Sequence, residues 1–189
     1  MPAEAQVAAH AWVWRHPKPE GAAGRCIGAG TDLPVHRRRA KRLARRIQRF
    51  ARRHRLPHVA HSSGLRRCAD VGRWLRRWGW RHRIDPALAE MDFGRWDGRP
   101  WSELSAADFE PWMQDFAGHA PGGGETLMQL MARAAAWPVP AGGLLISHGG
   151  WILARRWVER EGPLSTPNAA AWPAPPRYGE CWALRGGPV

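Results

Sequence analysis

Several things are scarce in this sequence, and each scarcity closes off a class of protein. There are 3 cysteines in 189 residues. Cys26, Cys68 and Cys181 are odd in number, far apart and form no C-x-x-C, which argues for reduced thiols and against a disulfide framework or zinc knuckle. No run of about 18 apolar residues occurs, so no membrane span is expected. The N-terminus has no basic start before its apolar stretch, and that stretch contains His10. No signal peptide is therefore expected, and a cytoplasmic location is. Lysine occurs only at Lys18 and Lys41, and 16 acidic residues face 29 basic ones, so the net charge of +13 is carried almost wholly by arginine. No cluster of carboxylates or of His and Cys has the spacing of a metal site, so neither a metal nor another cofactor is expected.

What is present fits a globular chain. Hydrophobic residues make up 44%, enough for one large core in a single domain over residues 1–189, with the motif-bearing part at about 7–160. Apolar runs at 7–14, 58–61, 80–84 and 143–147 read as strands, and 178–184 as a closing edge strand. Between them, helices are expected at 36–54, 65–78, 125–136 and 150–160, with helical segments near 101–117. Ser62 and Ser63 stand where they can cap the second helix. Long loops are expected at 17–34 and 85–100, and a Pro- and Ala-rich excursion at 163–176. This alternation implies a three-layer α/β/α sandwich with a mostly parallel sheet.

Two short motifs carry the chemistry. Ala11-Trp12-Val13-Trp14-Arg15-His16-Pro17 and Leu144-Leu145-Ile146-Ser147-His148-Gly149-Gly150 are apolar runs ending in histidine. Each reads as a buried strand that delivers its polar end to the C-terminal rim of the sheet, where open α/β sheets bind ligands. Arg-His and His-Gly-Gly in one crevice make a compact cationic site suited to phosphate.

Five segments in order resemble the histidine phosphatase superfamily, the phosphoglycerate mutase-like fold. Arg15-His16 stands where that family has R-H-G. Ser63-Gly64-Leu65-Arg66-Arg67-Cys68 is similar to its S-P-L-x-R segment. Residues 88–98, LAEMDFGRWDG, are similar to L-x-E-x-x-F-G-x-W-E-G, Pro121 to Thr126 to P-x-G-E-S/T, and Ser147-His148-Gly149-Gly150 to its H-G-G. The loop GRCIGAGTDLP at 24–34 further resembles the α-ribazole phosphatase branch, whose members remove a 5′-phosphate in cobalamin assembly.

The resemblance implies a metal-independent phosphomonoesterase acting through a phosphohistidine. His16 would be the nucleophile, its proton kept off by the neighbouring cations. Arg15, Arg67 and the backbone at Gly149 would bind phosphate, Arg67 through a bidentate fork. His148 would complete the catalytic set, and Glu90 would be the general acid, with Asp92 the rival carboxylate. Thr31 and Asp32 belong to the expected substrate loop, and the substrate class is α-ribazole 5′-phosphate or a similar nucleotide or sugar phosphate. Pro17 replaces the family's glycine and removes one backbone donor; Gly64 replaces its proline. The alternatives are a phosphoglycerate mutase-like phosphotransferase and a non-catalytic basic module that binds nucleic acid on the same scaffold.

The second alternative rests on residues 37–55, which hold eleven Lys and Arg and no acid. Phe50 is the one aromatic there and sits on the apolar stripe, so a solvated helix face is favoured and nucleic-acid binding is expected to be weak and non-specific at most. A small phosphorylated metabolite is the expected partner, and a monomer or homodimer the expected state.

Overall fold

The computed structural model describes residues 10–185. Five strands form one sheet in the order β3-β2-β4-β1-β5. They are β1 (His10–Arg15), β2 (Val59–Ser62), β3 (Arg81–Ile84), β4 (Leu144–Ser147) and β5 (Cys181–Arg185). β1, β2, β3 and β4 run parallel, while β5 lies antiparallel on β1. Residues 7–9 of the expected first strand lie outside the described residues. The sheet is covered on both faces, as the three-layer expectation requires.

The alternation of side chains along the central strands divides the core. Trp14, Leu144 and Ile146 face one layer, formed by helix α1 (Arg37–Arg53) and helix α2 (Arg66–Arg77). Ala11, Val13 and Leu145 face the other, formed by helix α4 (Leu127–Ala136) and helix α5 (Gly149–Glu161). α1 has the arginine-rich exposed face that the sequence implied, and it buries Ala40, Leu43, Ala44, Ile47 and Ala51. Phe50 packs edge-on against Trp12 and Trp14 at 4.9 and 5.3 Å between ring centres.

One local expectation is overturned. Ser62 and Ser63 do not cap α2: its N-cap is Leu65, which has no side-chain cap bond. The free amide of Arg66 is instead satisfied from a distance by Asp32 Oδ1, at 2.6 Å. An aspartate carries a full charge to the positive end of the helix, which a serine hydroxyl cannot do. The two serines are thereby released for other partners.

Residues 86–123 form a small aromatic annex beside the sheet. Short 3₁₀ turns at Pro86–Leu88, Gly94–Trp96, Trp101–Glu103 and Pro121–Gly123 surround helix α3 (Ala106–Gln114). α3 begins with a reciprocal capping box between Ser105 and Asp108. Cys26, Trp96 and Leu104 make a satellite core packed by Phe93, Phe109 and Trp112. The 92–96 turn and the 122–124 turn touch backbone to backbone. A Cβ on Gly122, at φ +65°, would stand 2.1 Å from the Phe93 carbonyl oxygen.

This contact yields a prediction with its own control. Gly122→Ala adds a backbone clash to a left-handed backbone and is expected to destabilise by about 2–4 kcal/mol. Gly123→Ala, at φ +76° with nothing within 4 Å, should cost only the conformational share of about 1–2 kcal/mol. Urea unfolding of the two variants checks this; equal losses would show that the turns are free to separate.

Candidate active site

The topology brings three strand ends together. Arg15 pairs in register with Ser147, and Ser62 with Ile146, so the residues following β1, β2 and β4 meet at one rim. His16 and His148 lie there with ring centres 5.0 Å apart. Both are buried, at 4% and 0% exposure. His16 N–H donates to the Ser147 carbonyl, which fixes the backbone just past the strand.

The hydrogen bonds assign both imidazoles. His16 Nδ1 lies 2.8 Å from the Pro17 carbonyl oxygen. A carbonyl only accepts, so Nδ1 carries the proton and the lone pair is on Nε2. His148 Nδ1 accepts from Arg67 Nε at 3.1 Å, so its proton is on Nε2, which meets Ser63 Oγ at 2.7 Å. Both rings are held well below the ordinary histidine value. Burial is the main cause for each, followed by the charge of Arg67; Arg15 adds a smaller push, and the Pro17 bond partly opposes the shift at His16. His16 is thus a neutral base with Nε2 unprotonated.

Arg67 is fully buried. Beyond His148, its two terminal nitrogens donate to the carbonyls of Thr31 and Gly28 at 2.6 and 2.8 Å. All three nitrogens thus have a protein acceptor, which leaves one N–H on each terminal nitrogen. The neighbouring Arg66 is exposed. Arg15 donates to the Pro176 carbonyl at 2.8 Å and lies over Tyr178, 4.1 Å from the ring centre. Its Nε is buried without a hydrogen-bond partner. Among the described residues neither arginine makes an ion pair with a carboxylate.

Gly149 opens α5 beneath Arg15, where an added Cβ would lie 3.2 Å from the guanidinium carbon. A side chain there would press the arginine away from the helix start by a few tenths of an ångström. Glu90 is nearly buried, and its Oε2 accepts from Gly150 N at 3.2 Å while Oε1 accepts from Met91 N at 3.1 Å. It therefore sits on the positive end of α5, two residues from His148. The rival Asp92 is exposed and spends Oδ1 on the amide of Gly94.

Thr31 and Asp32 serve the loop rather than point from it. Thr31 Oγ donates to Asp97, which also accepts from the amides of Gly28 and Gly30. Asp32 holds the start of α2. The loop's carbonyls are turned inward to Arg67 as a result. Asp97, Ser63 and Tyr178 are the contributors that the sequence reading did not assign to the site. Both Ser63 and Asp97 lie in the quoted motifs, Ser63 there as a helix cap and Asp97 with no role of its own. Tyr178, whose ring lies 5.6 Å from that of His16, is the sole tyrosine of the chain.

Cys68 lies under the pair, its sulfur 3.4 Å from His148 Nε2. Burial pushes its thiol up to about 12, so it stays protonated. Among the described residues no group of three or more His, Cys, Asp or Glu could hold a metal ion. The roomiest cavity described, about 640 Å3, lies elsewhere, around His61, Arg83 and Trp137, and Arg155 there is spent on Glu159 and helix-end carbonyls.

The family model described as Histidine phosphatase superfamily (branch 1) matches residues 11–154. The chain belongs to that superfamily. It is a histidine-phosphatase-type hydrolase, and the match spans every strand-end residue described above except Tyr178. Among solved structures, a mycobacterial glucosyl-3-phosphoglycerate phosphatase shares the fold at a TM-score of 0.72 and 24% identity, over 95% of this chain and 91% of that one. The TTHB049 protein of Thermus thermophilus matches at 0.65 and 27%, over 92% of each chain. A search of curated proteins found no match. No described helix is long and apolar enough to cross a membrane.

The buried histidines of this phosphatase site make its stability acid-sensitive. Both stay neutral in the fold and take up protons on unfolding, so the stability present above about pH 6.5 is lost as the pH falls below it. Each contributes a slope of up to about 1.4 kcal/mol per pH unit. Urea unfolding between about pH 7 and 5 should show the loss, and His148→Gln should remove one such share. An unchanged slope in that variant would mean His148 is protonated in the fold.

Proposed function

We propose that this chain hydrolyses a phosphate monoester through a phosphohistidine at His16. One observation carries the reading: a neutral imidazole with Nε2 unprotonated stands beside two guanidinium groups that lack a carboxylate among the described residues. A buried cation is costly without a counter-charge. An incoming phosphoryl group supplies one, on Arg15 Nε and the remaining N–H groups of Arg67.

In the proposed reaction His16 Nε2 attacks phosphorus and the bond from phosphorus to the ester oxygen breaks. Glu90 gives the leaving oxygen its proton. Water then attacks the phosphohistidine, Glu90 takes a proton from it, the P–N bond breaks, and orthophosphate leaves with His16 restored. The two guanidiniums supply the charge stabilisation that a metal gives in other phosphatases. His148 acts as a neutral group that orients Arg67, and shares its remaining N–H with Ser63.

The substrate we propose is a nucleotide or sugar phosphate, with α-ribazole 5′-phosphate as one member of the class. The comparisons do not single out α-ribazole phosphatases and lie nearer the phosphoglycerate mutase-like alternative, so transfer to a second acceptor belongs in the assay. We further propose that the chain works in the cytoplasm as a monomer or homodimer, with only weak, non-specific affinity for nucleic acid.

A panel of α-ribazole 5′-phosphate, sugar phosphates and phosphoglycerates, with chelator present, tests the reaction class. Rapid quench with a radioactive ester should trap an acid-labile, base-stable adduct that is absent in His16→Ala. An adduct that survives the substitution overturns the assignment, and transfer exceeding hydrolysis makes the chain a phosphotransferase.

Glu90 is checked by the leaving group. Glu90→Gln should slow phosphohistidine formation from an alkyl phosphate by about 10²–10⁴, and from nitrophenyl phosphate far less, since nitrophenolate leaves without a proton. Equal slowing of both bursts would give Glu90 a positioning role only.

A further inference from the structure

Glu90 borders two cavities, and they differ in chemistry. One, about 470 Å3, carries Asp92 and Glu125 beside it, and its one cation, Arg133, is spent on Glu125 and the carbonyls of Ala87 and Ala89. The other, about 220 Å3, has four aromatic walls, Phe93, Trp112, Phe116 and Trp172, and Glu90 and Gly150 complete the lining together with aliphatic side chains. The rings support one another. Trp112 and Phe116 are stacked at 5.6 Å and 20° between planes, and Phe116 meets Trp172 edge-on at 6.0 Å.

We infer that this aromatic cavity receives the leaving group of the phosphoester, and that the part it receives is a flat, largely apolar ring, which narrows the nucleotide and sugar phosphates proposed above to esters that carry such a ring. The inference rests on the phosphatase reading above, in which Glu90 protonates the leaving oxygen. An ester whose oxygen lies at Glu90 must send its carbon skeleton onward from there. Gly150 binds the same carboxylate and lines the same cavity, two residues after His148. Glu90 is the only charged residue in the lining. A polyhydroxylated group would therefore give up its water for little beyond the Glu90 carboxylate and the buried, unpaired Nε1 of Trp112, whereas a planar ring gains contact on every wall. The volume is several times the roughly 30 Å3 share of one water and suits a one- or two-ring system. The acidic cavity offers no spare cation for a leaving group that carries its own carboxylate.

Two alkyl phosphates test this: naphthylmethyl phosphate, which carries a bicyclic ring, and glycerol 3-phosphate, which carries hydroxyls. The wild-type chain should favour the first by about tenfold to a hundredfold in kcat/KM, the range set by filling an apolar pocket. Trp172→Ala and Phe116→Leu should each lower that ratio by about tenfold, and Trp172→Phe should largely restore it. Titration calorimetry with naphthylmethanol gives a readout that needs no turnover: it should bind wild-type protein and bind Trp172→Ala more weakly. Equal kcat/KM for the two esters, with no alcohol bound, overturns the cavity inference and leaves the phosphatase standing. Alcohol binding that depends on Trp172, with neither ester hydrolysed, upholds the cavity as a ring-binding site and overturns the phosphatase reading.

Discussion

Arg67 places a full charge where water is excluded, and much of the site is arranged around that charge. Three acceptors meet its guanidinium: one histidine nitrogen and the carbonyls of Gly28 and Thr31. Each acceptor has been organised by something further out. The two carbonyls point inward because Asp97 gathers the amides on the opposite side of their loop. The histidine ring is turned by Ser63. None of these groups neutralises the charge; they only solvate it. The arrangement is therefore incomplete in a specific sense, and an anion at the rim completes it. Arg67 also helps to keep both imidazoles neutral, so in the proposed reaction one side chain would prepare the nucleophile and the place where its target binds.

The division of the core between two faces of the sheet explains how such a charge is tolerated. The central strands β1 and β4 are covered on both sides, so their ends form a rigid frame fixed by register, and the polar groups start only where pairing stops. The aromatic annex adds a second wall from a different part of the chain. Its contact with the frame runs through Glu90 and Gly150, where a carboxylate meets the start of α5. The histidine rim and the aromatic cavity are thus joined at a helix terminus, where the amides of Met91 and Gly150 fix the position of the Glu90 carboxyl group.

Much of this was legible in the sequence. The strands ending at Arg15 and Ser147 were readable because an apolar run of the right length stops at a polar pair, and α1 because its small and branched residues recur at threes and fours. The motif order located His16, Arg67, Glu90 and His148, which the fold brings to one rim or its border. What was not legible depended on contacts across long stretches of chain. Ser63 looked like a helix cap because capping is a local rule; that Asp32 takes over the role, from 34 residues away, has no local signature. Thr31 and Asp32 stood out through the resemblance of their loop, and nothing in the sequence signals that Thr31 bonds Asp97 or that Asp32 bonds the Arg66 amide. On α1 the sequence offered no exposed aromatic among the cations, yet Arg37, Lys41 and Arg77 gather around Trp74 of α2.

The bond from Arg15 to the Pro176 carbonyl joins residues 161 apart. The Arg15 amide and carbonyl are likewise paired with Glu180 and Gly179. On the ribosome, Arg15 emerges 161 residues before the carbonyl that holds its guanidinium. The chain must be made through Gly179 and Glu180 before the backbone and side chain of Arg15 have these partners. A nascent chain can bury much of the core through β1 to β4 while the rim around Arg15 is still half-walled. Closure of so long a loop comes late and is slow, so the order of synthesis delays the completed rim until β5 has docked on β1.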